Sequence, residues 1–246
     1  MVKLSERMKA VAALVTSGGV LADVGTDHGY VPIALVAGGK VRRAIAMDIN
    51  RGPLERAARN IAANNLGGRI ETRLSDGVAA LFEGEADSIL VAGMGGELTL
   101  HILADGEAVC RSAKELILQP QSDIRRVREY LRLHRYKIVD EDMVCEDEKY
   151  YPMLRAVSVT CMDTPGEADG VAQAACDIYG PILLRRANPV LRDYLAWHRR
   201  QLADLFSRLK GKPCSDAIEK RVRQVQEELL YNESAYTILG EKNAGI

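Results

Sequence analysis

The pattern of apolar and polar positions changes once along the chain. From Val20 to about Thr160, short apolar runs alternate with longer segments of helical period. This alternation is typical of a parallel sheet with crossover helices and predicts an α/β fold. Seven runs are predicted to be strands: Val20–Val24, Arg43–Met47, Ile70–Leu74, Ser88–Ala92, Glu115–Leu118, Tyr136–Cys145 and Pro152–Thr160.

The last two predicted strands have no helix between them. Only the polar stretch Glu146–Lys149 separates them. We therefore expect an antiparallel hairpin that closes one edge of the sheet.

Beyond Cys161 the pattern becomes helical. A turn-rich stretch follows, with Asp163, Pro165, Gly166 and Gly170, and it predicts the joint between two domains. The expected domains are residues 1–162, a catalytic body, and residues 163–246, a helical appendage.

Two long helices are predicted in the appendage. After Pro189, apolar residues recur mostly at steps of three and four, which indicates a long amphipathic helix. The break Lys210–Pro213 ends it, and a second apolar stripe begins at Ile218. The two stripes predict a pair of antiparallel helices.

Composition narrows the class of protein. Of the 246 residues, 47% are hydrophobic and 27% are charged, as in globular proteins. The sequence contains no signal-like segment and no apolar run near the roughly 20 residues of a membrane helix, so we expect a soluble cytoplasmic protein. Its five scattered cysteines form no CxxC pair, so they are predicted to be reduced and mostly buried, with no metal site.

Charge is unevenly distributed although the formal net charge is only -1. The segment from Arg185 to Arg223 is strongly basic, and the rest of the chain is therefore acidic. A basic appendage could contact phosphates, but a solvated helical hairpin with an incidental basic face remains an alternative. The candidate phosphate contacts are Arg185, Arg186, Arg199, Arg200 and Lys210.

The strongest local signal is the run Leu21–Gly29. Asp23 ends a predicted strand, and Gly25 allows a tight turn before a helix. A dinucleotide fits poorly, because the full glycine spacing is missing and Asp27 would lie near the pyrophosphate. A cationic cofactor without phosphates removes that objection. S-adenosylmethionine, with its amine and sulfonium, has this chemistry.

Three further strand ends carry similar signals. Asp48 follows the second strand at the spacing of residues that bind ribose hydroxyls, and Asp76–Gly77 follows the third, suited to an adenine amine. The segment Ala92–Gly96 offers flexible backbone where a methyl acceptor must approach. Each signal alone has a structural explanation as a cap, a turn or a packing site. Together they predict one ligand site, because the carboxyl ends of parallel strands meet.

These signals define the expected site residues. The predicted cofactor-binding residues are Asp23, Gly25, Thr26, Asp27, His28, Asp48, Ile49, Asp76, Gly77, Ala92 and Gly93. The predicted catalytic residues are Asp27, Gly93, Met94 and Gly95.

Three motifs resemble a known family. Asp23–Pro32 is similar to the first motif of the TrmK family of bacterial tRNA adenine-N1 methyltransferases, and Ala92–Gly96 and Leu116–Gln121 are similar to its fourth- and fifth-strand signatures. The Asp/Asn-Pro-Pro-Tyr/Phe segment of ordinary amino-group methyltransferases is absent. The resemblance continues through Asp140–Tyr151 and, more loosely, through the appendage from Tyr179, so it covers nearly the whole chain.

The resemblance implies a class I, Rossmann-like methyltransferase sheet with a coiled-coil-like C-terminal part. It implies S-adenosylmethionine as cofactor and N1 of adenine 22 in the D-loop region of tRNA as acceptor. Such a target base must be flipped or otherwise exposed, so the basic appendage becomes a candidate tRNA-binding arm. A small-molecule methyltransferase or a noncatalytic RNA- or protein-binding module on the same fold remains an alternative.

Methyl transfer to adenine N1 makes little use of ionisable side chains. Adenine N1 is a neutral lone pair, so transfer needs in-line geometry more than a strong base. Asp27 is a candidate to orient the acceptor, whereas His28, in a helix-opening turn, is more often structural. Gln119 is a candidate contact to the base edge. Trp197 lies on the apolar stripe and is expected in the core rather than stacked on a base.

Overall fold

The computed structural model describes residues 2–159, 170–211, 213 and 215–240. The chain divides into two compact units, Met1–Cys161 and Met162–Ile246. Of the predicted domain joint only Gly170 is described, and it begins a helix; Asp163, Pro165 and Gly166 lie outside the described residues.

The first unit contains a seven-stranded sheet, and every predicted strand is present in it. The order is β3-β2-β1-β4-β5-β7-β6. β1 to β5 are parallel, and β7 runs antiparallel to both β5 and β6. The strands are β1 Val20–Val24, β2 Arg43–Asp48, β3 Ile70–Leu74, β4 Ser88–Met94, β5 Glu115–Pro120, β6 Tyr136–Glu146 and β7 Lys149–Ser158.

Helices cover both faces of this sheet. Residues from α1, α2 and α3 pack on one face, and residues from α4, α5 and α6 pack on the other. The central strands are apolar along their length because both of their faces are buried. The helices are α1 Glu6–Leu14, α2 Tyr30–Ala37, α3 Arg51–Ala63, α4 Gly96–Asp105, α5 Glu107–Ser112 and α6 Ile124–Leu133.

The predicted hairpin is confirmed, with a shorter turn than expected. Glu146 and Lys149 pair with each other as strand residues, so only Asp147 and Glu148 form the turn. Both turn residues have positive φ, 49° and 60°, which is the backbone of a type I′ hairpin turn. The pairing of β6 also shifts between Ile138 and Asp140, which makes a β-bulge in this edge strand.

The second unit is helical, as predicted. Asn188 caps the long helix by accepting hydrogen bonds from the amides of Val190 and Leu191. The long helix packs on the last helix through apolar residues that include Leu202, Leu209 and Val225, which confirms the expected pairing. The helices are α7 Gly170–Tyr179, α8 Pro181–Arg185, α9 Pro189–Lys210 and α10 Asp216–Gly240.

A buried polar cluster joins these helices, and Trp197 lies outside the core. The Tyr179 hydroxyl lies 3.0 Å from His198 Nδ1, and Asn232 donates to the Leu195 carbonyl at 3.2 Å. Burial lowers the pKa of His198. The core position expected for Trp197 is wrong: its side chain is 41% exposed and lies beside Tyr194, with ring centroids 5.7 Å apart. The buried face of α9 therefore includes fewer of its apolar residues than the sequence pattern predicts.

The described cysteines are free thiols. Cys110 is buried, Cys176 is half-buried and Cys145 is exposed, so the expectation of mostly buried thiols is wrong for Cys145. Cys145 lies in the edge strand β6, where alternate side chains face solvent. Cys161 and Cys214 lie outside the described residues.

A buried ion pair fixes α6 to β6. Arg128 Nε lies 2.9 Å from Glu141 Oε1, and the two side chains are 2% and 0% exposed. Charges removed from water in this way are tolerated only when they are paired.

We therefore expect Glu141→Ala to lower the free energy of unfolding of the first unit by about 3 to 5 kcal/mol, because it leaves the Arg128 guanidinium buried without its carboxylate. Urea denaturation followed by circular dichroism measures this change. Glu129→Ala on α6 is the control, since it removes a more exposed pair with Arg125 and should cost less than about 1 kcal/mol. Similar losses in both variants would contradict the importance of the buried pair.

Candidate cofactor and acceptor site

The predicted site segments meet at the carboxyl edge of the sheet. Val24 pairs with Met47 on β2 and with Val91 on β4, and Asp48 pairs with Leu74 at the end of β3. This register places the segments that follow the four strands side by side. The site therefore assembles from loops that are far apart in sequence.

Gly25 turns the chain sharply at the end of β1. The amides of Gly25 and Thr26 both donate to the Met47 carbonyl at 2.8 Å. Gly25 has a φ of +76°, and a Cβ on it would lie 2.0 Å from Met94 Cε. Only glycine allows this turn, and the Met94 side chain, predicted as catalytic, packs against it.

Asp23 is buried beneath this loop, with 8% of the residue exposed. Burial raises its pKa from 3.8 to about 6; the Thr26 hydroxyl opposes the shift and the nearby Asp48 adds to it. The Thr26 hydroxyl itself is buried and has no hydrogen-bond partner of normal geometry in the part of the chain that the structure describes. The loop thus holds a carboxyl group and a hydroxyl group whose hydrogen bonding is incomplete, and this arrangement favours a polar or cationic ligand.

Asp27 lies on the exposed side of the same loop. It forms an ion pair with Arg56 of α3 and lies 3.1 Å from His28 Nε2. The Arg56 hydrogen bond, with a smaller contribution from His28, lowers the pKa of Asp27. Asp27 is therefore anionic at neutral pH. The sequence pattern did not reveal Arg56, because it lies outside every motif on a helix that turns towards the loop.

His28 is held by its neighbours. Its ring stacks on Tyr30, with centroids 4.9 Å apart, and its carbonyl accepts from Asn60 Nδ2 at 2.9 Å. These contacts fix the turn before α2. They favour the structural interpretation of His28 over a role as a base.

The segments after β2 and β3 carry acidic and apolar surface. Asp48 Oδ1 accepts from the Asn50 amide at 2.7 Å, which orients the carboxylate. The next residue, Ile49, is 60% exposed. Asp76 is exposed. Gly77 has a φ of +52°, and a Cβ on it would lie 3.1 Å from Ile102 Cγ1. A carboxylate beside an exposed apolar side chain suits a ribose and a flat base.

The segment after β4 contains a glycine bulge. The pairing with β5 shifts between Ala92 and Met94, so Gly93 has no partner on that strand, and its φ is +80°. Its amide donates instead to the Gln119 side chain at 3.1 Å. Bulges of this kind often lie next to active sites.

Gln119 holds the bulge in place through a hydrogen bond between its side chain and the Gly93 amide. Its side chain is buried, and Oε1 accepts from the Gly93 amide and also from Arg7 Nη1 at 2.7 Å. Burial argues against the direct base contact considered for Gln119. Arg7 comes from α1, far from any motif in sequence, and was missed for that reason.

Beyond the bulge the segment is close-packed. Gly95 is exposed, whereas Gly96 is buried, and a Cβ on Gly96 would lie 2.4 Å from the Ser122 carbonyl oxygen. Met94 and the exposed Gly95 are therefore the two residues between the bulge at Gly93 and the start of α4.

The candidate phosphate contacts belong to the second unit. All of them are exposed, as expected for a basic face. The Arg199 guanidinium lies 6.0 Å from the centre of the Tyr236 ring, and Lys210 Nζ lies 4.5 Å from that of Phe206. The residues are Arg185 and Arg186 around the end of α8, and Arg199, Arg200 and Lys210 on α9.

The donor set of the first unit fits S-adenosylmethionine. Carboxylates at three strand ends suit an amine, a sulfonium and ribose hydroxyls, and they disfavour the phosphates of a dinucleotide. Among the described residues, no group of three or more His, Cys, Asp or Glu could hold a metal ion. Within the same part of the chain, no helix is long and apolar enough to cross a membrane.

Comparisons with known proteins agree with this geometry. Residues 4–154 match the family model described as a methyltransferase domain. The chain is 32% identical over 227 residues to the tRNA (adenine(22)-N(1))-methyltransferase of Bacillus subtilis (strain 168), covering 92% of this chain and 94% of that protein.

Solved structures extend the similarity to the whole fold. The crystal structure of the B. subtilis M1A22 tRNA methyltransferase TrmK has a TM-score of 0.84 and 30% identity, covering 97% of this chain and 100% of that one. A putative tRNA (m1A22) methyltransferase of Streptococcus pneumoniae in complex with S-adenosyl-L-methionine has a TM-score of 0.79 and 28% identity, with 96% and 100% covered.

Burial of Asp23 predicts a change in stability. Its pKa in the folded protein, about 6, lies above the ordinary aspartate pKa of 3.8, so the first unit loses stability as pH rises from 3.8 to 6. Asp23→Asn should therefore raise the free energy of unfolding by roughly 2 to 3 kcal/mol near pH 7.5, and by about half as much near pH 5. Urea titrations at both pH values test this, with the exposed Asp105→Asn as control. A gain that does not depend on pH would show that Asp23 is not a desolvated carboxylate.

Proposed function

The chain belongs to the tRNA (adenine(22)-N(1))-methyltransferase family, and from this premise we propose that it transfers the methyl group of S-adenosylmethionine to N1 of adenine 22 in tRNA. The observation that carries the proposal is the row of carboxylates at the ends of β1, β2 and β3 beside a glycine bulge on β4. In this proposal the carboxylates bind the cofactor, and the glycine bulge leaves space for the acceptor base.

The ends of β2 and β3 bind the adenosine part of the cofactor in this proposal. Asp48, with Oδ1 already oriented by the Asn50 amide, accepts hydrogen bonds from the ribose hydroxyls. Ile49 offers apolar surface to the adenine, and Asp76 accepts from its amine while Gly77 makes the turn. Each of these contacts uses an atom that the fold leaves accessible.

The loop after β1 binds the methionine part. Burial and the neighbouring Asp48 disfavour the ionised form of Asp23, and a cationic amine beside the carboxylate offsets both effects. Gly25, Thr26 and His28 shape the loop, and Ala92 borders it at the end of β4. S-adenosylmethionine supplies an electrophilic methyl group on a sulfonium.

The bulge and Asp27 receive the acceptor. Gly93 and Gly95 have no side chains, so a purine can approach closely, and Met94 closes the space below. Adenine N1 attacks as a neutral lone pair, so no strong base is needed. The ring becomes cationic, and the anionic Asp27, held in place by Arg56, stabilises that charge.

The second unit binds the tRNA backbone in this proposal. The free energy required to flip or expose the target base must come from contacts elsewhere. Arg185, Arg186, Arg199, Arg200 and Lys210 are exposed cations suited to phosphates. Trp197 is 41% exposed and stacks beside Tyr194, so the exposed part of its ring is a further candidate base contact in this proposal.

Methylation of a defined tRNA tests the function. We expect purified protein and labelled S-adenosylmethionine to convert adenine 22 of an unmodified tRNA transcript to 1-methyladenine, identified by nucleoside mass spectrometry. A transcript with guanine at that position should accept no methyl group. Equal methylation of both transcripts would refute the assigned acceptor.

Asp48→Ala should weaken cofactor binding at least tenfold in calorimetry, since a lost charged hydrogen bond costs about 1.5 to 3 kcal/mol.

Reversal of charge tests the tRNA-binding role of α9. The double variant Arg199→Glu, Arg200→Glu should bind S-adenosylmethionine normally but bind tRNA more weakly and with a salt slope shallower by about one to two, because fewer counterions are released. The control is Lys137→Glu, Lys149→Glu, which makes the same charge change on the exposed hairpin of the first unit. A wild-type slope in the α9 variant, or the same loss in the control, would show that the basic face of α9 is only solvated surface.

A further inference from the structure

Arg7 is a cation of the candidate site whose side chain has no acidic partner among the described residues. Arg56 forms an ion pair with Asp27. By contrast, Arg7 makes no salt bridge within the part of the chain that the structure describes. Its one side-chain hydrogen bond there runs to a neutral amide, Gln119 Oε1, at 2.7 Å. A half-buried guanidinium with donors left over is well suited to an anion from outside the chain.

The side chain is held in a fixed position. Gln119 anchors one end of the guanidinium, and the Tyr151 ring lies 5.2 Å from its centre. Helix α1 is itself fixed at its start, because Glu146 Oε1 accepts from the Glu6 amide at 2.9 Å. Little conformational entropy remains to be lost when such a group binds a ligand.

The guanidinium lies beside the bulge on β4. A Cβ added to Gly93 would lie 3.5 Å from Arg7 Nη1, so no side chain separates Arg7 from the backbone of the bulge. Gly93 lies at the same sheet edge as the loop above Asp23, since β1 and β4 are paired neighbours. Arg7 therefore borders the part of the site nearest the methionine end of the cofactor.

The chemistry of the cofactor supplies the matching anion. S-adenosylmethionine carries a carboxylate as well as its two cationic groups. The acidic strand ends repel that carboxylate, and Arg56 is already neutralised by Asp27. We propose that Arg7 binds the carboxylate of S-adenosylmethionine, a role that rests on the proposed function and adds a residue of α1 to the cofactor site. The planar guanidinium can donate two parallel hydrogen bonds to it.

Two other roles would fit some of these contacts. Arg7 could only position Gly93 through Gln119, or it could contact a phosphate of the tRNA. The first would affect every ligand of the site to a similar degree. The second would leave cofactor binding unchanged.

Calorimetry on the full chain, without RNA, separates these roles. The ligands are S-adenosylmethionine and its decarboxylated form, which keeps the amine and sulfonium but lacks the carboxylate. We expect Arg7→Ala to weaken binding of S-adenosylmethionine at least tenfold and that of the decarboxylated form less than twofold. Arg7→Lys, which keeps the charge but not the planar fork, should lose less. Lys9→Ala, an exposed cation on the same helix, is the control and should change neither affinity.

Each outcome has a definite meaning. Equal weakening of both ligands by Arg7→Ala, or unchanged binding of S-adenosylmethionine, overturns the proposal. If thermal melts show that Arg7→Ala is unfolded, Arg7→Lys decides by the same comparison of the two ligands. Failure of the wild-type chain to bind either ligand would instead refute the cofactor assignment in the proposed function.

Discussion

The site depends on two hydrogen bonds that the Met47 carbonyl accepts, from the amides of Gly25 and Thr26. They bend the chain off β1 towards β2 as soon as the strand ends. The bend covers Asp23, brings Asp27 against α3 and presses Gly25 on Met94. The turn gives Gly25 a φ of +76°, which favours glycine, and the absence of a side chain there lets the end of the Met94 side chain pack against the loop.

The first unit keeps a destabilising group in its core. A buried carboxyl group without a cation is costly when ionised, and the pKa of Asp23, raised to about 6, reflects that cost. In the proposed function a cationic ligand beside Asp23 would offset this cost. The buried pair Arg128–Glu141 is the opposite case, since its charges compensate each other within the chain.

Most of the fold was predictable from the sequence, because strand burial and helix amphipathicity repeat over many residues. The site was only partly predictable. Motifs indicate the candidate residues Asp23, Asp48 and Gly93, which adjoin strand ends. They do not indicate Arg7 or Arg56, which reach the candidate site from helices through tertiary packing. The same packing buries Gln119, whose motif suggested a base contact, and local pattern could not show that Trp197 faces solvent.

The bulge in β6 bears on whether the edge of the sheet can pair with a strand of another molecule. β6 is the last strand of the sheet, so one row of its amide and carbonyl groups has no neighbouring strand among the described residues. Such a row invites intermolecular strand pairing, the first step towards aggregation. The extra residue between Ile138 and Asp140 interrupts the regular spacing of this row and increases the local twist of the strand. The hairpin can therefore end the sheet without offering a flat template to another chain.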